Sequence, residues 1–439
     1  MFTNRSDLIR FVRGATGLLM LAVLGTGIAA AQASPKPEVR ITLEQAEQMA
    51  LAHNRTLQAD LTLISQSKAN EITAGLRPNP VFDTDALFIP FFSPKNLNSD
   101  TLNNTSEFDA GGSYDFQMYG KRKARMNAAH AATTVTKSLV SNDERRLRYE
   151  VAAQFIHVVY AESKLRFAKQ DLATFDKSLK ISKRQYTAGS ISHGSLLKLQ
   201  LQRLLFQTDY TSAQVAVIQA KNNLRQLVGF DALPANYDVL GRLHAPNPHR
   251  SLLGLEAEAL RNRPDLAASR QNVTEAESQL HLARAYAHPS LGTTLDYTRL
   301  AGMNDLSSYA TMAIPIFDRN QGNIAGAKAQ ITQANEQERA AEQLVLTQVR
   351  SAYAEQQSAL QVVDLYRSGY LGDAQQSLSI SEYAYLRGDT SLLNFLDAER
   401  SYRTVELDYR RALAQAMLSD QRLQEVVNKT MRPGKVHQP

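Results

Sequence analysis

Nine histidines and not one cysteine set the side-chain chemistry open to this chain of 439 residues. Without cysteine there is no disulfide, no thiolate metal site, no cysteine nucleophile and no lipid attachment at a mature N-terminal cysteine. The histidines are His53, His130, His157, His193, His244, His249, His281, His288 and His437, and none pairs with another at helical i, i+4 spacing. Neither HxxxH nor HExxH occurs, so the pattern that sets two imidazoles on one helix face over a metal is missing. The segment HAPNPH, 244 to 249, offers a loop pair at best. Hydroxyl and carboxylate neighbours do occur, HGS at 193 to 195 and DAE at 397 to 399, but neither has the strand, elbow and helix that present a nucleophile. Such carboxylates on helices are ordinary surface charge patterning. With no phosphate-cradling glycine loop either, the residues point away from catalysis, and no cofactor or metal site is expected.

The elements available to position side chains are long helices. From Lys121 to Ala188 there is neither glycine nor proline. At about 1.5 Å per residue one helix of that length would span roughly 100 Å, several times an ordinary domain. Tryptophan is absent and aromatics are few, which favours extended helices over one large compact core. The N-terminus carries Arg5, Arg10 and Arg13, an apolar run near 15 to 30, then small residues, the pattern of a secretory signal over residues 1–33. Removing it takes three arginines and Asp7, leaving 46 basic against 42 acidic residues, a net charge of +4. That is too mild, and the basic residues too scattered, for nucleic acid to be a partner. No later segment has eighteen consecutive apolar residues, so an exported chain of this kind is either soluble beyond the inner membrane or spans as a β-barrel.

The chain repeats itself. A shift of 209 lays ALAHNRTLQA, 50 to 59, on ALRNRPDLAA, 259 to 268, and a shift of 199 aligns 178 to 229 with 377 to 428 at 13 identities over 52 positions. Each half (34–229 and 251–430, joined by a proline-rich linker over 230–250 and followed by a tail over 431–439) has the same order of parts. A helix (41 to 77, 252 to 286) leads into a strand (80 to 92, 289 to 300), a polar loop and a second strand (107 to 119, 307 to 317). A long helix follows (121 to 187, 323 to 386), turns at a glycine and returns as a shorter helix (195 to 228, 392 to 429). Helices either side of the linker would stack end to end, as would the terminal helix and the first. In SLGTTLDYTR the positions Leu291, Thr293, Leu295 and Tyr297 alternate with Ser290, Gly292, Thr294 and Asp296, the period of a sheet with one apolar and one polar face. ATMAIPIF alternates likewise, with Met312, Ile314 and Ile316 on one side. Four strands cannot close a barrel, so they are either surface hairpins or one share of a wall built by several chains.

The motifs LRPNP and AHPSL before the strands, YGKRKAR, PIFDRNQGNI, and the paired turns YTAGSISHGSLLKLQ and YLRGDTSLLNFLDAERSY resemble the TolC-like outer membrane efflux protein family. GKR and FDRNQGNI are most similar to its CzcC-like heavy-metal branch. The resemblance implies a mainly α fold with a small β part: a homotrimer whose chains give four strands each to one barrel in outer membrane lipid, continued by a long helical barrel into the periplasm. It implies a periplasmic adaptor and an inner-membrane RND-type pump as partners, passive conduction of divalent heavy-metal cations, and no cofactor. A conduit for drug efflux or type I protein secretion is the alternative within the class. A soluble periplasmic coiled-coil adaptor is the alternative outside it, although that would carry a lipoyl-like β domain and no duplication. Carried over, the adaptor-contacting tips are Tyr186, Ala188, Gly189 and Ser190, and Tyr385, Arg387, Gly388 and Asp389. The gate falls on Asn394 and Asp397, with Ser195 in the first half, so only one of these positions carries a carboxylate.

Overall fold

The computed structural model describes residues 39–247 and 251–428; the secretory signal expected over 1–33 and the tail expected from 431 lie outside those residues. In chain order, β1 (Val39–Ile41), α1 (Leu43–His53), α2 (Arg55–Gly75) and β2 (Val81–Leu87) are followed by a short α3 (Ser99–Asn104) and β3 (Glu107–Phe116). Then come α4 (Lys121–Thr187), α5 (His193–Val228) and β4 (Tyr237–Val239). The second half runs α6 (Leu252–Asn262), α7 (Pro264–Tyr286), β5 (Leu291–Leu300), β6 (Met303–Met312) and α8 (Gln321–Leu365). A π-helical turn (Tyr366–Tyr370) leads into α9 (Leu371–Arg387), and α10 (Leu392–Val427) closes the order.

The 67 residues of α4 form a single helix because nothing in them breaks one, and Gly120, left-handed at φ 72°, sets its start. Its buried stripe, Leu147, Val151, Phe155 and Val158, recurs at three- and four-residue steps. Around it pack α2 and α7 at one end and α5 and α10 at the other.

The first helix of each half is broken once, where one helix was expected. Asn54 (φ −64°, ψ 119°) leaves the helical region and caps α2, its Oδ1 accepting from the Leu57 amide at 3.0 Å. At the repeat-related position Arg263 (φ −71°, ψ 124°) stands before Pro264, which disfavours helix in its predecessor. These breaks receive the ends of the returning helices. Asn54 Nδ2 donates to the Leu227 carbonyl at 2.9 Å, and Asn428 Nδ2 to that of Asn262 at 2.7 Å. The end-to-end partners are therefore α5 with α1–α2 and α10 with α6–α7, each within its own half, and not across the linker as expected. The linker itself contributes β4, which pairs in parallel with β1. Apolar clusters centred on Val151, Leu224 and Leu233, and on Val349, Leu266 and Val426, fill the two joints.

The second long helix is not continuous over 323 to 386. Gly369 (φ 141°, ψ −32°) widens one turn to the π form between α8 and α9, a conformation open to glycine.

The remaining strands form one antiparallel sheet in the order β2-β3-β5-β6. The register sets Asp83, Asp85, Glu107, Asp109, Asp115, Asp296 and Asp305 on one face with Ser and Thr between them and no basic residue. The other face carries Phe82, Phe108, Tyr114, Phe116, Leu291, Leu295, Tyr297, Leu306 and Met312. The alternation read at 290 to 297 thus extends into the paired strands, although Val81, Leu87, Leu300, Met303 and Tyr309 fall on the acidic face and Arg299, Asn304 and Ser308 on the other. The strand limits differ from expectation: β2 stops at Leu87 because Phe88 turns left-handed at φ 55°, and β3 stops at Phe116. The β5–β6 loop is only Ala301 and Gly302, both at positive φ, a two-residue hairpin that starts β6 four residues earlier than read. Ile314 and Ile316 lie beyond the end of β6 and flank Pro315, which has no amide to give a ladder.

Candidate functional site

Two helix-to-helix turns, related by the shift of 199, carry most of the residues singled out in the sequence. In the first, Gly189 (φ 78°) donates its amide to the Tyr186 carbonyl and Ser190 to that of Gln185, at 2.9 and 2.8 Å. In the second, Gly388 (φ 86°) donates to Tyr385 and Asp389 to Ala384, at 3.0 and 2.9 Å. Both are Schellman caps, which satisfy carbonyls left open at a helix end. Ser192 and Ser391 then cap the returning helices, accepting from the amides of Ser195 and Asn394.

Ala188, Gly189, Ser190, Arg387, Gly388 and Asp389 are exposed, as is Tyr186, whose ring sits 5.5 Å from His193. Arg387 lies over the Tyr383 ring at 4.4 Å. Tyr385 differs: it is only 6% exposed and stacks on Phe395 at 5.2 Å, so the turn presents its backbone and not its ring. Asn394 and Asp397 are exposed three residues apart on α10, and Asp397 has no ion pair among the described residues. The Asn394 amide is turned to Thr390 Oγ1 at 3.0 Å, and Ser195, half-buried, sits 3.1 Å from Ser192 Oγ. Between the turns, Phe175, Leu179, Leu196, Leu199, Phe206, Tyr385 and Phe395 form a cluster that ties one hairpin to the other. Ser178 donates to Glu382, and Gln185 Nε2 to the Leu386 carbonyl, across the same seam.

Higher on these helices is an ionic cluster that sequence reasoning missed. Arg403 on α10 lies 2.7 Å from Asp171 on α4, 2.5 Å from Asp209 on α5 and 3.5 Å from Glu399 one turn before it. Its guanidinium also covers the Phe206 ring at 4.2 Å. Glu399 is 5% exposed, and burial pushes its carboxyl up to about 7 against the pull of Arg403; burial likewise raises Asp171 to about 6. In sequence, Glu399 and Arg403 read as one more surface i, i+4 pair, and nothing there announces carboxylates 194 and 232 positions away. Among the described residues, no group of three or more His, Asp or Glu side chains is placed to hold a metal ion.

The model of the outer membrane efflux protein family matches residues 28–230 and 255–429. The chain belongs to that family. It is similar to the cobalt-zinc-cadmium resistance protein CzcC of Cupriavidus metallidurans, 25% identical over 378 residues, 85% of this chain and 87% of the relative. The cation efflux system protein CusC of Escherichia coli K12 is 27% identical over 331 residues, 70% and 69% of the two chains. A solved CusC structure superposes at a TM-score of 0.73 with 20% identity, over 89% and 92%, which identifies the fold as TolC-like. Outer membrane efflux proteins are non-enzymatic channel components of tripartite systems, placed in the outer membrane with a periplasmic extension, and this chain is one of them. Adaptor and pump partners come with that role.

Proposed function

We propose that three copies of the chain form the outer membrane conduit of a heavy-metal cation efflux system, receiving divalent cations from an RND-type pump through a periplasmic adaptor. The observation that carries the reading is the open sheet. Among the described residues neither edge strand, β2 or β6, has a second partner, while the carboxylates lie on one face and most of the aromatic side chains on the other. Unpaired edges in hydrocarbon cost several kcal/mol per open group, roughly, which only closure relieves. Three such sheets closing in a ring would turn the acidic faces to the lumen and the aromatic faces to lipid, a lining that concentrates cations.

The helices support the same assembly. On α5, Leu197, Leu201, Leu204, Val215 and Ile218 are exposed and fall on alternating four- and three-residue steps, with Thr208 and Thr211 between. On the second hairpin Val362 and Leu365 at the end of α8, and Ile380 and Tyr383 on α9, are exposed as two apolar pairs, each three residues apart. Each hairpin thus carries an exposed apolar surface, since α5 packs on α4 and α9 on α10. The turns at 186–190 and 385–389 are then the adaptor-facing tips, and Asp397 with Asn394 and Ser195 the constriction. Metal cargo is favoured by the likeness to CzcC and CusC, whose names carry cobalt, zinc and cadmium resistance and cation efflux.

Deletion of the gene tests cargo, and the purified protein tests assembly. Tolerance to zinc, cobalt, cadmium or copper should fall in the deletion strain, and the protein should run as a heat-sensitive trimer from outer membranes. A monomer that stays soluble without detergent and opens no pore would end the reading. Loss of drug tolerance or of protein secretion with metal tolerance intact would move the cargo elsewhere.

A further inference from the structure

We propose that Arg403 and the carboxylates around it form a proton-controlled latch, fastening the second hairpin, α9 with α10, to the first hairpin beside the bend at Gly369. The consequence for conduction rests on the conduit reading above; the latch is a feature of the single chain.

The geometry begins with an asymmetry between the repeats. The shift of 199 sets Gly369 opposite Gln170, one residue before Asp171, yet α4 passes that point unbroken while its counterpart carries a π turn. Only the second descending helix therefore has a place to pivot. The bend leans on α10, because Arg367 Nε donates to the Tyr409 hydroxyl at 3.2 Å and the Tyr366 and Tyr409 rings lie 6.1 Å apart. A turn and a half before Tyr409 on α10, Arg403 reaches Asp171 on α4 and Asp209 on α5. α10 is thus tied to the bend through one residue and to both helices of the other hairpin through another.

The charges around the latch do not balance. Asp171, Asp209 and Glu399 are three acids against the single guanidinium of Arg403. Arg400 acts on Glu399 only through space, and Gln202 from α5 donates to it at a long 3.4 Å. Glu406 is occupied by Arg410 and Asp176 by Arg203, and burial raises the Tyr402 phenol, which stays neutral. Among the described residues no further cation is in an ion pair with Asp171, Asp209 or Glu399. The Asp171 Oδ2 and Glu399 Oε1 atoms that face Arg403 Nε, at 2.7 and 3.5 Å, are buried and meet it as ion pairs without good hydrogen-bond alignment.

The sign of the response follows. Glu399 and Asp171 titrate higher in the packed helices, about 7 and about 6, than in solvent, so the packed arrangement binds protons more tightly than the parted one. Its stabilisation is complete below the ordinary carboxylate range and is lost as pH rises through 6 to 7. In acid Glu399 and Asp171 take up protons and the latch holds; toward alkaline pH their two charges return beside the single guanidinium of Arg403 and the hairpin loosens.

The test uses spin labels on Lys177→Cys in α4 and Ser379→Cys in α9, which are unique thiols because the chain has no cysteine. Labelled chains are diluted with unlabelled ones, and the distance distribution is measured by pulsed EPR at pH 5.5 and 8. The distribution should lengthen and broaden at pH 8, with a midpoint between 6 and 7. Glu399→Gln should keep the short distribution at both pH values. Asp171→Asn, on a different helix, should move the midpoint down, because the Asp171 charge helps to hold Glu399 protonated. Identical wild-type distributions at both pH values, or an unchanged pH response in Glu399→Gln, would overturn the latch. Because the distances are read on the helices, failure to form pores would count against the conduit reading and not against this one.

Discussion

Asp397 is an exposed carboxylate without an ion pair among the described residues, three positions beyond an Asn394 whose amide is turned to Thr390. Repeated by a threefold axis, it would place three charges around a narrow opening. Asp397→Asn should therefore weaken block of the closed channel by divalent cations in planar bilayers by severalfold, and unchanged block would remove it from the gate. Arg145 carries a structural load instead. Its guanidinium and Glu425 are both 6% exposed and ion-paired, and the Arg145 guanidinium also contacts Asn142 Oδ1 and the Glu425 carbonyl. Arg145→Ala leaves that carboxylate partly stranded, with only the half-exposed Arg422 near it, and should cost about 3–5 kcal/mol, seen as a lower thermal midpoint. At this scale the sequence is readable where function is local. The glycines and serines of the two turns announce their caps, whereas the Arg403 and Arg145 clusters join residues far apart in sequence and leave no local pattern.

Elements are fixed by where the backbone can and cannot continue. The span of α4 is legible because it contains no breaker, and its ends match the reading from the sequence. The breaks at Asn54 and Arg263 are not legible from hydrophobic period, since the apolar face continues through them; Pro264 and a capping asparagine are the signals. The bend at Gly369 hides for the opposite reason: an isolated glycine is tolerated in a helix, and only its φ of 141° reveals the π turn. The three-residue β1 and β4 are too short to show any period. The caps give a test free of side-chain contacts, because a Cβ on Gly189 or Gly388 would meet nothing within 4 Å. Alanine at either position should then cost about 1 kcal/mol through backbone strain alone. Asparagine, which tolerates the left-handed region, should cost clearly less in denaturant titrations. Equal losses for the two substitutions would mean that the side chain, and not the turn, is what matters.

Sequence alternation reports which way a strand faces but not what meets its edge, so the fold of one chain was legible and its closure was not. The molecule leaves two kinds of surface open: the edges of β2 and β6, and the apolar stripe on α5 with the apolar pairs on α8 and α9. They make separable demands on the assembly. If the acidic face lines the lumen of a trimer, as proposed, its carboxylates should set charge selectivity without affecting closure, so Asp109→Asn with Asp296→Asn should shift the reversal potential in a salt gradient toward weaker cation preference while the oligomer persists. The α5 stripe should do the reverse. Leu201→Asp with Leu204→Asp places two charges on an exposed face, where they cost the single chain little, but buries them at a contact between copies, where an unpaired charge costs several kcal/mol, roughly. Helix content by circular dichroism should then be retained, while the heat-sensitive trimer band and pore activity disappear. A trimer that survives both aspartates would mean that the β-edges alone hold three copies together, and that the period along α5 serves some other contact.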